Sequence, residues 1–153
     1  MKNMLSTAIS IAALKHEGQL DKGGLPYILH PIRVMMNLKT SDQELMCIAV
    51  LHDTVEDTDV TLMDLSGYGM SSRVIEGVDA LTKRNGESYE ESISRVMQNY
   101  DAILVKREDL RDNSDLTRLK GVTEKDMIRM NKYIKAYYEL DQIVRARSAQ
   151  IKT

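Results

Sequence analysis

Apolar residues recur at helical spacing along most of this chain. Met4, Ala8, Ile11, Ala12 and His16 fall on one stripe, and the run from Gly18 to Gly24 then breaks it. A first helix is therefore expected to end near residue 17, and Ser6, Thr7 and Ser10 make the same stretch too polar for a signal peptide. Pro31 suits the first turn of a second helix, where its missing N–H has no partner to lose, and Ile32, Met35, Met36 and Leu38 give that helix an apolar side. Ser41-Asp-Gln-Glu44 reads as a capping box opening a third helix, in which Leu45, Ile48, Ala49, His52 and Val55 share a stripe that runs to about Asp57. Hydroxyl-x-x-acid starts recur at Thr61, Ser88 and Thr123. Further helices are expected over 72–83, closed by Asn85-Gly86, over 102 to about 113, and over 124 to about 147. No stretch alternates with period two between hairpin turns. The pattern predicts an all-α fold, a single compact bundle of six or seven helices over residues 1–153, without internal repeat or linker.

Composition narrows the partners. With 21 Lys+Arg against 23 Asp+Glu among 153 residues, the net charge of −2 offers no global field for nucleic acid. The longest uninterrupted apolar run, residues 45–51, is far short of the roughly 18 residues that span a bilayer, so no membrane segment is expected. The single cysteine, Cys47, lies in that run and reads as a buried inert thiol, which suits a cytoplasmic protein without a disulfide framework. Seven Tyr, no Phe and no Trp leave aliphatic side chains and ten Met, including Met35, Met36, Met127 and Met130, to fill the core. Tyr133, Tyr137 and Tyr138 suggest a packing seam against the first helix, with a self-association surface, and hence a homo-oligomer, as the other use. Three histidines, His16, His30 and His52, crowd into the first third of the chain.

The segment after the apolar run carries the chemistry. Glu56 stands four residues past His52 and Asp57 four past Asp53, so on a continuous helix these polar groups share one edge at the end of a buried element. Carboxylates crowded there repel one another and lose hydration, and a cation resolves both costs. Mixed nitrogen and oxygen donors suit a divalent ion such as Mn²⁺, Fe²⁺ or Zn²⁺. His30, beside Pro31, and an acid from the stretch 105–115 are the candidates to complete the set.

The run from His16 through Asp21-Lys-Gly-Gly24 to Pro26-Tyr-Ile-Leu-His-Pro31, the stretch Ala49-Val-Leu-His-Asp-Thr-Val-Glu-Asp-Thr58, then Leu81-Thr-Lys83 and Lys106-Arg-Glu-Asp109 to Asn113, together resemble the HD-domain hydrolases of the RelA/SpoT type. The resemblance covers residues from about 5 to 145. It implies removal of the 3′-pyrophosphate from the nucleotide alarmone (p)ppGpp by metal-dependent hydrolysis. Carried over by motif, His30, His52, Asp53 and Asp109 match the ligands of a Mn²⁺ ion, and Glu56 and Asp57 match the pair placed beside the attacking water. Asn113 matches a polar residue near the nucleoside, and Lys22 and Lys83 sit in motifs that line or flank the substrate pocket. His16 matches a motif position that is not a ligand, and a buried, hydrogen-bonded role is expected for it.

This chain departs from the family pattern where the base would sit. Asp21 stands where an arginine is expected to stack on guanine, and Asp115 stands where arginine is frequent. Arg107-Glu108 replaces an apolar pair beside Asp109. Alternative readings are hydrolysis of another phosphorylated nucleotide, such as a ppApp-like one or NADPH, and a non-catalytic nucleotide or metal sensor.

Overall fold

The computed structural model describes residues 3–151, which form nine α-helices and one 3-10 turn; the only β-pairing among the described residues is an isolated bridge between Leu20 and Pro26. In chain order the helices are α1 (Met4–Lys15), α2 (Leu29–Asn37), α3 (Gln43–Leu51), α4 (Thr54–Asp57), α5 (Leu62–Gly67), α6 (Ser72–Leu81), α7 (Tyr89–Val96), α8 (Tyr100–Asn113) and α9 (Glu124–Ile151). The all-α expectation holds; nine segments stand against the six or seven expected, and one of the additional segments has a local cause described below.

Helix α3 is the central element. Leu45 and the whole of Cys47 to Leu51 are buried, so α3 is enclosed by α1, α2, α6 and α8. A helix apolar on every side is stable only when neighbours cover each face. One cover is very close: a Cβ on Gly77 of α6 would lie 2.5 Å from Ile48 Cδ1 and 2.9 Å from its Cγ1. A second apolar cluster joins Ile103 and Leu110 of α8 to Ala136 and Leu140 of α9, with Tyr133 and Tyr137 packed against it. The tyrosine seam therefore faces α8 rather than α1, and Tyr138 is left exposed. Met35 and Met130 fill the interior as expected, whereas Met36 and Met127 are exposed.

Capping explains most boundaries. Thr61 with Asp64 and Ser88 with Glu91 form reciprocal capping boxes, and Thr123 and Asp126 exchange the same pair of bonds at the start of α9. The expected box at Ser41 is not formed. Asp42 caps α3 instead, accepting the N–H groups of Glu44 and Leu45, and Glu44 turns away to Ser71 and Arg73. Arg73 also binds Asp42 and Asp101, so three carboxylates from α3 and its flank and from α8 compete for one guanidinium.

The expected long third helix is interrupted at His52-Asp53. His52 Nδ1–H donates to the Ala49 carbonyl at 2.7 Å, which is the acceptor that the Asp53 N–H would use if the helix continued. The chain then restarts as the single turn α4. The four polar groups consequently straddle the break, His52 and Asp53 in the turn and Glu56 and Asp57 on α4, and they do not line one space: Asp57 lines a different cavity from the other three.

The α3–α6 contact gives a stability prediction. Gly77→Ala gains helix propensity of about 1 kcal/mol but overpacks Ile48, which typically costs about 1–3 kcal/mol. Net destabilisation is expected in urea unfolding, with partial recovery in the double variant Gly77→Ala/Ile48→Val, which removes the crowded Cδ1. A more stable Gly77→Ala protein would contradict the close packing described.

Candidate metal centre and flanking cavities

Three elements meet at one point. The first turn of α2 supplies His30, the corner after α3 supplies His52 and Asp53, and α8 supplies Asp109. Both rings are buried, each 2% exposed. The donor atoms of His30, His52 and Asp109 all lie within 4.8 Å of one another. Asp53 Oδ2 stands 3.0 Å from His52 Nε2 and 3.6 Å from His30 Nε2, so it borders the same space.

Each imidazole has its tautomer fixed from behind. His52 Nδ1 faces a carbonyl, which can only accept, so Nδ1 carries a hydrogen. His30 Nδ1 lies 2.6 Å from Asp112 Oδ2, again an acceptor. In the neutral rings this leaves both Nε2 atoms with lone pairs, and both are buried without a hydrogen-bond partner. Two orphaned nitrogen acceptors beside two carboxylates form a donor set without a cation to satisfy it. This is the arrangement expected where histidine ligands are oriented by acceptors on their far nitrogens. The residues present fit a divalent ion with nitrogen and oxygen ligands.

Without such an ion, protons take its place. Burial favours the neutral rings, but the carboxylates of Asp109 and Asp112 overcome this and raise His30 to about 9. His52 is likewise raised well above the usual histidine range: burial opposes the shift, and Asp53 and Asp109 outweigh it. Burial works against ionised Asp53 and Asp109 too. The His52 charge nevertheless holds Asp53 low, and Lys106 with the two histidines holds Asp109 far below the carboxylate range.

Several supporting residues are absent from the expected set. Asp112 anchors His30 and accepts from Arg33 at 2.8 Å and Arg118 at 2.9 Å, so a buried carboxylate is held by two guanidinium groups. Lys106 Nζ donates to Asp109 Oδ2 at 2.7 Å. The Tyr27 hydroxyl donates to Asp53 Oδ2. The sequence carries a signal for one of these: Lys106 precedes Asp109 by three residues, which on a helix brings the pair together. Nothing comparable singles out Asp112 from the other acids of its segment.

The remaining expected residues are divided between two cavities on either side of the cluster. One, of about 190 Å³, is lined by Glu56, Lys83 and Lys106 together with His52, Asp53 and Asp109. There Glu56 Oε1 accepts the Lys83 backbone N–H at 2.7 Å. The other, of about 450 Å³, is lined by Lys22, Asp57, Arg118, Arg129, Met130 and Tyr133, with His30 in its wall. Glu56 and Asp57 therefore face different spaces. Asp57 is pushed upward by desolvation and by the carboxylates of Asp53 and Glu56. Asn113 borders both cavities and donates to Asp109 Oδ1 at 2.7 Å, so in this state its amide supports a candidate ligand.

The two departures at the base-binding side have local employment. Asp21 Oδ1 accepts the N–H groups of Gly23 and Leu25, closing the turn that carries Lys22 into the larger cavity. A Cβ at Gly23 would collide with the Arg118 carbonyl, so glycine is required for the turn to dock there. Asp115 caps the 3-10 turn Leu116–Arg118 through Thr117 N. His16 is buried as expected: Nδ1 bonds Gln19, and the ring lies 5.0 Å from that of Tyr27, tilted by 45°. Glu108 is buried as well and is approached by Arg107 and Arg111.

Comparison with known proteins places this geometry. No protein-family model matches the chain. The guanosine-3′,5′-bis(diphosphate) 3′-pyrophosphohydrolase of Aquifex aeolicus is 34% identical over 118 residues, and the bifunctional (p)ppGpp synthase/hydrolase SpoT of Escherichia coli K12 is 34% identical over 121 residues. Each alignment takes in 71% of this chain and only 17% of the relative, so the chain spans about a sixth of those proteins. The guanosine-3′,5′-bis(diphosphate) 3′-pyrophosphohydrolase MESH1 of Danio rerio is 42% identical over 83 residues, 49% of this chain and 46% of the relative. A solved structure described as a metazoan ortholog of SpoT that hydrolyzes ppGpp superposes with a TM-score of 0.74 at 25% identity, covering 96% of this chain and 97% of that one. With the ordered motifs, the all-helical architecture and the His/Asp cluster in agreement, the chain belongs to the HD-domain, (p)ppGpp-hydrolase-like proteins of the RelA/SpoT type.

Proposed function

We propose that this protein is a metal-dependent phosphohydrolase that removes pyrophosphate from the 3′ position of a (p)ppGpp-like nucleotide. The observation that carries the reading is the pair of orphaned Nε2 atoms, fixed from behind and facing Asp53 and Asp109. The named relatives support the reaction class. His30, His52, Asp53 and Asp109 would hold the ion, and we assign it as Mn²⁺ from the mixed donor set and the family resemblance. Bound there, such an ion supplies Lewis-acid polarisation of a phosphoryl oxygen and a lower pKa for water.

The chain's own residues have distinct tasks in this reading. Glu56 and Asp57 flank the cluster from two cavities and are the groups able to accept the proton of an attacking water; the raised affinity of Asp57 for a proton suits that role. Lys83 and Lys106 bring positive charge to the Glu56 side, and Lys22, with Arg118 and Arg129, brings it to the other. A substrate with anionic groups at both ends therefore meets cations on both sides of the cluster. Asn113, which borders both cavities, would contact the nucleoside in this reading. On the base side the stacking arginine is absent and Asp21 is engaged with its own turn, so we also propose that a base other than guanine is accepted. The partner in either case is a small-molecule nucleotide, and a cytoplasmic location fits it.

A panel of ppGpp, pppGpp, ppApp and NADPH incubated with the Mn²⁺-loaded protein tests the reading, with phosphate and pyrophosphate read separately. Pyrophosphate release from at least one 3′-pyrophosphorylated nucleotide is expected; folded, metal-loaded protein releasing neither product contradicts it. Glu56→Gln should leave folding and metal affinity intact and lower kcat by about 10²–10⁴-fold, the usual weight of a general base. Unchanged turnover would remove Glu56 from the chemistry. In calorimetric titration His52→Ala should lose Mn²⁺ binding, and Asp112→Asn should weaken it about 10–100-fold by releasing His30.

The pH dependence has a definite sign. In the metal-free protein the histidine pKa values are raised above the unfolded value of about 6.5. Their contribution to stability is complete below that pH and is lost as pH rises through about 9 for His30. A bound ion requires neutral rings, so its affinity grows over the same interval. The difference in Tm between Mn²⁺-loaded and chelator-treated protein should widen from pH 6.5 to 9, and a constant difference would contradict the assigned ligands.

A further inference from the structure

The Tyr89 hydroxyl is a buried donor without a hydrogen-bond partner, and it belongs to a residue lining the smaller cavity beside Glu56, Lys106 and Asp109. Its ring is held in place. Tyr89 is the first residue of α7, whose start is fixed by the reciprocal box of Ser88 and Glu91. The Lys132 ammonium sits 4.4 Å above the ring centroid, and the Tyr133 ring lies 6.4 Å away.

Each carboxylate that lines this cavity already accepts at least one hydrogen bond from the protein, and none accepts from the Tyr89 hydroxyl. Asp109 receives Asn113 on Oδ1 and Lys106 on Oδ2, Asp53 receives Tyr27, and Glu56 receives the Lys83 N–H. An unpaired hydroxyl in a buried position works against folding, and phenylalanine would avoid that cost at nearly the same volume. The hydroxyl is thus unfavourable for the free protein unless something outside the chain accepts its hydrogen. Burial lifts its pKa to about 12, with Lys106 opposing and Asp109 assisting, so the group remains a donor through the neutral range.

We propose that the Tyr89 hydroxyl contacts the substrate directly, donating to a phosphoryl oxygen of the group that occupies the cavity beside Glu56. Lys83, Lys106 and Lys132 line the same space with Asp53, Glu56 and Asp109; with a divalent ion neutralising Asp53 and Asp109, the ammonium groups are left in excess, and an oxygen-rich anion accepts from them and from a phenol together. This inference rests on the phosphohydrolase reading and adds to it which side of the cluster holds the phosphoryl group.

Tyr89→Phe removes the hydroxyl alone. Inorganic pyrophosphate is the probe, titrated calorimetrically into Mn²⁺-loaded wild-type and variant proteins, with Mn²⁺ affinity and Tm measured alongside. The expected result is pyrophosphate binding weakened about 10–100-fold, the usual range for a hydrogen bond to a charged group, with unchanged Mn²⁺ affinity and a Tm equal to or above wild type. Binding within twofold of wild type overturns the proposal, as does a Tm lowered together with binding, since that marks a structural hydroxyl. Wild-type protein that fails to bind pyrophosphate also overturns it. If wild type binds pyrophosphate in a Tyr89-dependent manner but releases nothing from any nucleotide, the hydrolase reading fails and the Tyr89 assignment stands.

Discussion

The hydrogen bond from His52 Nδ1 to the Ala49 carbonyl ties the end of the buried helix α3 to the His/Asp cluster. It takes the carbonyl that would have carried α3 onward, so the helix stops at the end of its buried run and turns. The same bond places the hydrogen on Nδ1 and leaves Nε2 as an acceptor aimed at Asp53 and Asp109. Helix termination and ligand orientation are thus one event. Beyond the break, Glu56 and Asp57 are adjacent on α4 and diverge by about 100°, which is how each comes to line a different cavity.

Around that corner the charges balance locally rather than globally. Three carboxylates, Asp53, Asp109 and Asp112, surround two imidazoles in a largely enclosed space, and Lys106, Arg33 and Arg118 offset them from behind. Removing such groups from water is costly, and good geometry with every remaining atom paired is what makes it tolerable. The pairing is complete on the outer sides of both rings and incomplete at their Nε2 atoms. An overall charge of −2 hides this arrangement: Lys22, Arg118 and Arg129 line one cavity beside the cluster and Lys83, Lys106 and Lys132 the other.

Much of this was legible in the sequence, for reasons that differ from part to part. Periodicity and caps located the helices, because hydroxyl-x-x-acid starts at Thr61, Ser88 and Thr123 act through contacts three residues apart. The buried run from Leu45 to Leu51 was visible for the same kind of reason. The interruption at His52 was not, since it depends on a side chain competing with the backbone for a carbonyl, and a periodic stripe looks identical either way. Ser41 and Asp42 are both competent caps, and the choice between them rests on Arg73 drawing Glu44 away, a contact 29 residues distant. At the site, the motifs identified His30, His52, Asp53 and Asp109 as a candidate set, and folding brings them together. Asp112 could not be selected: its importance lies in Arg33 and Arg118 converging on it from other segments. Asp21 and Asp115 looked like changes in ligand recognition, and in the fold both are first of all turn-forming residues.

Anomalous diffraction from crystals of the Mn²⁺-loaded protein tests the central claim most directly. The account predicts one strong peak coordinated by His30 Nε2, His52 Nε2, Asp53 and Asp109, with Asp112 and the Ala49 carbonyl still bonded to the far imidazole nitrogens. A peak elsewhere, or none between the two Nε2 atoms at saturating Mn²⁺, would contradict it.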